Sequence, residues 1–123
     1  MILALVASLA GSVGAVARYL ADGAVQDRTS GVFPAGTLVV NVAGSLVLGI
    51  VTGLTWYHGF GSSGRALVGT GFCGAFTTWS TVSWETVRLT EQGSYGAAAV
   101  TAFGGLATSL AAAGLGIVLV AAL

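Results

Sequence analysis

GFCGAFTTWSTVSWET, residues 71–86, lies in the third of four hydrophobic segments of this chain. The stretch carries two glycines, six hydroxyl side chains and Glu85. Polar groups and free backbone groups are costly in hydrocarbon unless they bind an ion, line a cavity or are buried in protein. The stretch therefore predicts a transport site at membrane depth, with the other three segments enclosing it.

The composition of the chain indicates an integral membrane protein. Its 123 residues are 55% hydrophobic and only 7% charged, whereas about 25% of the residues of a soluble domain are charged. The four basic residues are all arginines and balance four acids, which excludes a basic surface for nucleic acid. The sequence shows no nucleophile–base pair, metal-ligand spacing or phosphate loop, so we expect no enzyme. The single Cys73 gives no disulfide or zinc pattern.

Four segments are long enough to cross a bilayer, which takes about 20 mostly apolar residues. They run near residues 2–20, 33–57, 66–87 and 95–123 and are joined by short polar connectors. They predict an all-α membrane protein with a single four-helix domain over residues 1–123. The first segment lacks the basic start of a signal peptide, so we interpret it as a span. The few arginines give no clear orientation. We expect a multi-pass protein of the cell (inner or plasma) membrane, surrounded by lipid.

Small and polar residues recur four apart on two of the segments. The second segment carries Thr37, Asn41, Ser45, Gly49 and Gly53, and the fourth carries Gly104, Thr108, Ala112 and Gly116. Small residues let helix backbones approach closely in lipid, so Gly49 and Gly53 are predicted to be structural. Asn41 is different, because an amide at mid-membrane must find polar partners or face water. This favours a pore-lining or ion-contacting role for Asn41.

The third segment is predicted to be broken near Gly74–Thr78. Glycine lowers helix propensity, and serine and threonine side chains compete for backbone groups. A break would free carbonyls that can hold a cation, and the half-helix that follows would favour an anion at its N-terminus. The alternative is a kinked helix whose hydroxyls bond to their own backbone.

The sequence offers four further candidate residues, Trp79, Glu85, Arg88 and His58. The positive edge of the Trp79 ring is suited to contact an anion, although simple packing is the alternative. Glu85 and Arg88 are three apart, and we favour a structural ion pair over a proton-carrying role. His58 lies on a connector and is expected to be solvated.

Three blocks of the sequence resemble the Fluc (CrcB-like) family of fluoride channels. They are GSVGAVARY at 11–19, PAGTLVVNVAGSLVLG at 34–49 and GFCGAFTTWSTVSWE at 71–85. The resemblance implies an antiparallel, dual-topology dimer with two narrow fluoride pores and a central structural sodium ion. It also implies a passive, fluoride-selective channel through which cytoplasmic fluoride leaves the cell down its gradient.

The resemblance also implies roles for individual residues. The sodium ion would rest on the backbone carbonyls of Gly74 and Thr77 from both subunits. Arg18 would stabilise the vestibule or the fold. The fluoride path would involve residues of three spans, namely Thr37, Asn41, Trp79, Ser80, Thr81, Val82 and Thr108.

The sequence departs from the family at two places. The family has two pore phenylalanines three residues apart, where this chain has Trp79 and Val82. The family's fourth-span serine aligns with Gly105, for which Thr101, Thr108 or Ser109 are the possible substitutes. Two forms of the channel therefore stay open: a homodimer that conducts, and a non-conducting or partner-dependent subunit that pairs with a related chain.

Two other functions fit four short spans. A proton-coupled exporter of the small multidrug-resistance type needs a membrane-embedded carboxylate, and the first three spans offer only Glu85, close to Arg88. A non-conducting membrane scaffold is the other alternative. Replacement of Asn41 separates a fluoride pore from a scaffold, because only the pore depends on that amide.

Overall fold

The computed structural model describes all 123 residues and contains only helices and the turns between them. We number the helices α1 to α5, namely α1 Ile2–Gln26, α2 Ala35–Tyr57, α3 at residues 62–76, α4 Trp79–Glu91 and α5 Tyr95–Ala121. The predicted all-α fold is confirmed. The first span is longer than predicted, because the helix continues past residue 20 to Gln26, whose side-chain amide then bonds to the backbone of Phe33 and Gly36.

Three helices, α1, α2 and α5, are long and apolar enough to cross a membrane. At 1.5 Å per residue, α3 and α4 are only about 22 and 20 Å long, and a hydrocarbon core is about 30 Å thick. Neither α3 nor α4 crosses the membrane alone, so the third span is made of two half-helices that meet at membrane depth. The chain is a multi-pass membrane protein.

Two threonines make the interruption between α3 and α4. Thr77 (φ −81°, ψ 158°) and Thr78 (φ −149°, ψ 122°) are extended, whereas Gly74 stays helical (φ −61°, ψ −33°). The break predicted near residues 74–78 is thus confirmed, but glycine is not the residue that makes it. β-Branched side chains favour extended backbone, and the break falls at two of them.

Both α3 and α5 contain a π-helical stretch. In α3 it covers Arg65–Cys73 and ends next to the last turn before the break, and in α5 it covers Val100–Gly104. Stretches with i→i+5 hydrogen bonds are rare and occur often at functional sites. Here they flank the region in which the polar residues of the third span lie.

Glycines bring two pairs of helices into backbone contact. Between α2 and α5, a Cβ on Gly49 would overlap the Ala113 carbonyl, and one on Gly116 would lie 2.6 Å from the Leu46 oxygen. Between α1 and α3, a Cβ on Gly71 would lie 2.6 Å from the Ala7 oxygen. Because such distances leave no room for a methyl group, these positions fix the helix separations.

The α2–α5 crossing gives a direct test of this packing. We expect Gly49→Ala to destabilise the protein by about 1–3 kcal/mol, the cost of overpacking a close contact. Gly114→Ala on α5 is the matched control, because nothing lies within 4 Å of its Cβ position. The measurement is the unfolding midpoint of the purified protein in a denaturing-detergent titration. Equal midpoints for the two variants would contradict the close crossing.

Candidate functional site

The side chain of Asn41 fastens the helix break to α2. Its Nδ2 donates a hydrogen bond to the carbonyl of Thr78 (2.9 Å), and the Thr78 amide donates to its Oδ1 (2.7 Å). One side-chain amide thus satisfies both backbone groups of a residue that has left the helix. Asn41 therefore faces the protein interior, and it finds the polar partners that its position at mid-membrane requires.

The break leaves carbonyl groups without their helical partners. In a continuous helix the amides of Thr78 and Thr81 would bond to the carbonyls of Gly74 and Thr77, but they donate instead to Asn41 and to the Thr78 hydroxyl (3.2 Å). Carbonyl oxygens freed in this way are the groups that coordinate sodium at unwound membrane helices. The Gly74 and Thr77 oxygens are therefore suited to bind a monovalent cation.

Arg18 of α1 contacts the other end of the break. Its Nε donates to the carbonyl of Ala75 at 3.2 Å, close to the C-terminus of α3. A guanidinium at this position satisfies a backbone carbonyl that the end of α3 leaves without a partner, and it complements the negative end of the helix dipole. The structural role predicted for Arg18 is consistent with this contact.

Hydroxyl groups cluster at the first turn of α4. The Thr78 hydroxyl lies 2.9 Å from the Thr81 hydroxyl and 3.3 Å from that of Ser80. It also accepts from the Thr81 amide and caps the helix. Hydroxyl donors beside the positive end of a helix form an environment that favours an anion. Trp79 begins this helix, and its side chain is 65% exposed on the single chain.

A small cavity adjoins Asn41 between α2, α4 and α5. Thr37, Asn41, Val82, Thr101 and Gly105 are among its lining residues. Gly105 leaves room for a side chain, since a Cβ would meet only the Leu38 Cδ1 atom, at 3.9 Å. The two places where the sequence departs from the family pattern, Val82 and Gly105, therefore lie around one cavity.

Glu85 is bound to α2 rather than to Arg88. The Thr37 hydroxyl donates to its Oε1 at 2.7 Å, and its Oε2 has no hydrogen-bond partner. The guanidinium carbon of Arg88 lies 5.1 Å from the centre of the Trp84 ring. The ion pair expected from the three-residue spacing is thus not found, because each side chain has a different contact.

Two further residues considered in the sequence lie outside the Asn41 cavity. Thr108 does not line the Asn41 cavity, and its exposed hydroxyl bonds to the carbonyls of Gly104 (2.7 Å) and Gly105 (3.2 Å). His58 is exposed, as expected, and its Nε2 lies 3.2 Å from the Val120 carbonyl at the end of α5.

Sequence reasoning also missed Thr78 as a central residue of the site. The signal for it is the requirement that Asn41 find polar partners, and the break supplies these partners at Thr78.

The fold and the site define a class of membrane protein in which an interrupted helix brings polar groups to membrane depth. Residues 5–117 match the family model described as CrcB-like protein, Camphor Resistance (CrcB), and the chain belongs to this family. The resemblance seen in the sequence blocks is therefore confirmed.

Three relatives show how far the similarity extends. A protein of Leifsonia xyli subsp. xyli, named fluoride-specific ion channel FluC 1, is 49% identical over 113 residues, covering 92% of this chain and 82% of the relative. FluC 1 of Streptomyces avermitilis is 48% identical over 105 residues, 85% of each chain. FluC 2 of Natronomonas pharaonis is 45% identical over 123 residues, 100% of this chain and 98% of the relative. Proteins with these names are ion channels and not enzymes.

The clamp between Asn41 and Thr78 can be tested on the purified protein. We expect Asn41→Ala to destabilise the fold, because each buried polar group left without a partner costs about 1–3 kcal/mol. Amide hydrogen exchange should accelerate at Thr78 and in the first turn of α4. Ser83→Ala is the control, since the Ser83 hydroxyl bonds only to its own helix at Trp79. Unchanged exchange at Thr78 in Asn41→Ala would show that the clamp does not hold the break.

Proposed function

We propose that this chain is a subunit of a passive, fluoride-selective ion channel through which cytoplasmic fluoride leaves the cell. The observation that carries the proposal is the break at Thr77–Thr78, fastened by Asn41 beside the hydroxyls of α4. Curated relatives that align over most of the chain carry the name fluoride-specific ion channel. A small anion loses its hydration shell at membrane depth only where protein donors replace the water.

The donors for the anion lie on α2 and α4. An asparagine amide carries two N–H donors, and Asn41 uses one of them on Thr78, which leaves the second for fluoride. The hydroxyls of Ser80 and Thr81 supply further donors at the first turn of α4. Thr37 lines the cavity beside Asn41, but its hydroxyl proton is donated to Glu85, so it forms part of the wall of the path rather than a free donor. These neutral groups stabilise an anion without holding it by a full opposite charge, which suits conduction.

The apolar wall of the path is formed by Val82 and, in the assembled channel, by Trp79. Val82 is buried beside Asn41, whereas Trp79 is exposed on the single chain. The Trp79 ring edge therefore contacts the path only where a second subunit covers it. Thr108, whose hydroxyl is bonded to its own helix, belongs to the path only on the same condition.

Transport down the gradient requires no coupling to protons. The only acid in the third span is Glu85, whose Oε1 accepts a hydrogen bond from Thr37 at 2.7 Å and whose Oε2 is buried. A proton-coupled exporter would need a carboxylate free to exchange protons with its substrate. This contact favours the channel over the exporter.

The channel is proposed to be an antiparallel dimer with two pores and a sodium ion at its centre. The freed carbonyls of Gly74 and Thr77, contributed by both subunits, fit an oxygen-coordinated cation. A sodium ion there would neutralise the carbonyl dipoles that face it and join the two breaks. Arg18 would hold the end of α3 in place through Ala75.

A specific observation favours a pair of unlike subunits as the second possibility. Val82 and Gly105 both line the cavity beside Asn41, and they are smaller than the phenylalanine and the serine of the family pattern. Relatives of this chain carry the names FluC 1 and FluC 2. A related chain with the complete set of side chains would carry the full family pattern in its own cavity, so that a dimer of the two chains would contain at least one complete set.

Fluoride efflux from liposomes tests the function directly. We expect the purified chain alone to release fluoride but not chloride, as followed by ion-selective electrodes. Asn41→Ala should lower fluoride efflux at least about tenfold, because a lost anion–donor bond is worth roughly 1.5–3 kcal/mol. Ser83→Ala should conduct like the wild type. If the wild-type chain is silent alone and conducts once a related subunit is added, the channel is a heterodimer. Equal efflux from Asn41→Ala and the wild type would contradict a fluoride path through Asn41 in either form of the channel.

The sodium site can be tested without measuring flux. A ligand that binds only the folded state stabilises it by about 2.7 kcal/mol at 100 times its Kd. We therefore expect the melting temperature of the purified protein to rise with sodium concentration at constant ionic strength, with N-methylglucamine as the replacement cation. A melting temperature that is the same in both salts would rule out a structural sodium ion.

A further inference from the structure

A second cavity, of about 1000 Å³, opens between the end of α1, the loop before α2 and the C-terminal half of α4. Its volume is in the range of small-molecule binding sites. None of the proposed fluoride donors Asn41, Ser80 and Thr81 lines it. We name it the interfacial cavity, defined by the charged residues Asp22, Asp27, Arg28, Glu85 and Arg88 together with the aromatic residues at its rim.

The charged side chains of the interfacial cavity have almost no partners within the chain. No ion pair within 4.0 Å joins any of them. Arg28 donates to the Ala24 carbonyl in the last turn of α1, and Arg88 lies over Trp84. The Oε2 of Glu85 has no hydrogen-bond partner. Two arginines and two aspartates thus line one open space with most of their hydrogen-bonding capacity unused, beside a Glu85 carboxylate whose Oε2 is buried.

The interfacial cavity lies at the level of the lipid headgroups. Helix α1 has 25 residues and is about 37 Å long at 1.5 Å per residue. Because a hydrocarbon core is about 30 Å thick, the last turns of α1 extend to the membrane surface. Tyr19 and Trp84, both exposed, stand at the rim, and these aromatic residues are typical of membrane interfaces.

We propose that the interfacial cavity binds the headgroup of a zwitterionic phospholipid with a primary ammonium group. The phosphate is bound by the guanidinium groups of Arg28 and Arg88, which match phosphate oxygens in geometry and charge. The ammonium is bound by the carboxylates of Asp22 and Asp27, which line the cavity with Arg28. Exposed Leu20, with the aromatic rim, provides an apolar surface on which the first methylene groups of the acyl chains pack.

The balance of charge selects this headgroup over an anionic one. Two arginines face three carboxylates, so the cavity carries a formal net charge of −1 when all five groups are ionised. A headgroup with a phosphate alone would add a further negative charge, whereas a phosphate and an ammonium together match both signs. The lipid would also connect α1 to α4, which otherwise packs mainly on the first turns of α5.

Lipid titration followed by native mass spectrometry tests the proposal. The delipidated protein in detergent is titrated with phosphatidylethanolamine and, separately, with phosphatidylglycerol of the same chains. We expect the first lipid to bind about tenfold more tightly, and Arg88→Gln to weaken it by a similar factor, as for the loss of one charge-assisted hydrogen bond. Arg65→Gln is the matched control, because Arg65 does not line the cavity and should leave binding unchanged.

A second variant addresses the ammonium side of the cavity. Asp22→Asn should abolish the preference for phosphatidylethanolamine over phosphatidylglycerol. If Arg88→Gln proves unstable, this variant alone tests the proposed headgroup site. Equal binding of both lipids by the wild type, or a preference unaltered in Asp22→Asn, would overturn the proposal. So would displacement of the lipid by soluble phosphoethanolamine at equal concentration, which would assign the site to a free headgroup. Absence of any lipid binding, as when a second copy of the chain covers the cavity, also overturns it.

Discussion

The two hydrogen bonds between Asn41 and Thr78 are the interaction on which the rest of this structure depends. A residue that leaves a helix at membrane depth exposes an amide and a carbonyl that no lipid can satisfy. One asparagine side chain satisfies both, at 2.7 and 2.9 Å, and it does so from a neighbouring helix. The break is therefore stabilised by a tertiary contact with α2. Because this contact keeps the helix interrupted, the carbonyls before the break stay free and the hydroxyls after it cluster at the start of α4.

The sequence predicted where the third span is interrupted, because hydroxyl-rich and glycine-containing stretches are locally unfavourable for a helix. It did not predict that Gly74 remains helical, since glycine permits a break but does not require one. The Glu85–Arg88 pair was wrong for two reasons. Glu85 accepts a hydrogen bond from Thr37 of another helix, which spacing along one helix cannot identify, and Arg88 lies over Trp84, a competing partner four residues away on the same helix. The coincidence of Val82 and Gly105 at one cavity needs three helices in place, and no one-dimensional pattern contains it.

The small and polar residues spaced four apart on α5, from Gly104 to Gly116, show a related limit of sequence-based prediction. Four residues advance an α-helix by about 400°, so each step of the stripe turns about 40° around the axis. Over the three steps from Gly104 to Gly116 the direction changes by about 120°. Accordingly Gly116 is buried against α2, whereas Thr108 is exposed. Gly49 and Gly53 are only one step apart, so their directions differ by only about 40°. Both residues contact α5.

The π-helical stretch Arg65–Cys73 makes the length of α3 as important as its composition. Removal of one residue there would restore ordinary α-helical bonding, and each residue of an α-helix corresponds to about 100° of rotation. The deletion would rotate the two parts of α3 relative to each other. The contact of Gly71 with α1 and the hydrogen bond of Arg18 to the Ala75 carbonyl could then no longer form together. Over evolutionary time this segment should therefore accept exchanges of side chains far more readily than single-residue insertions or deletions.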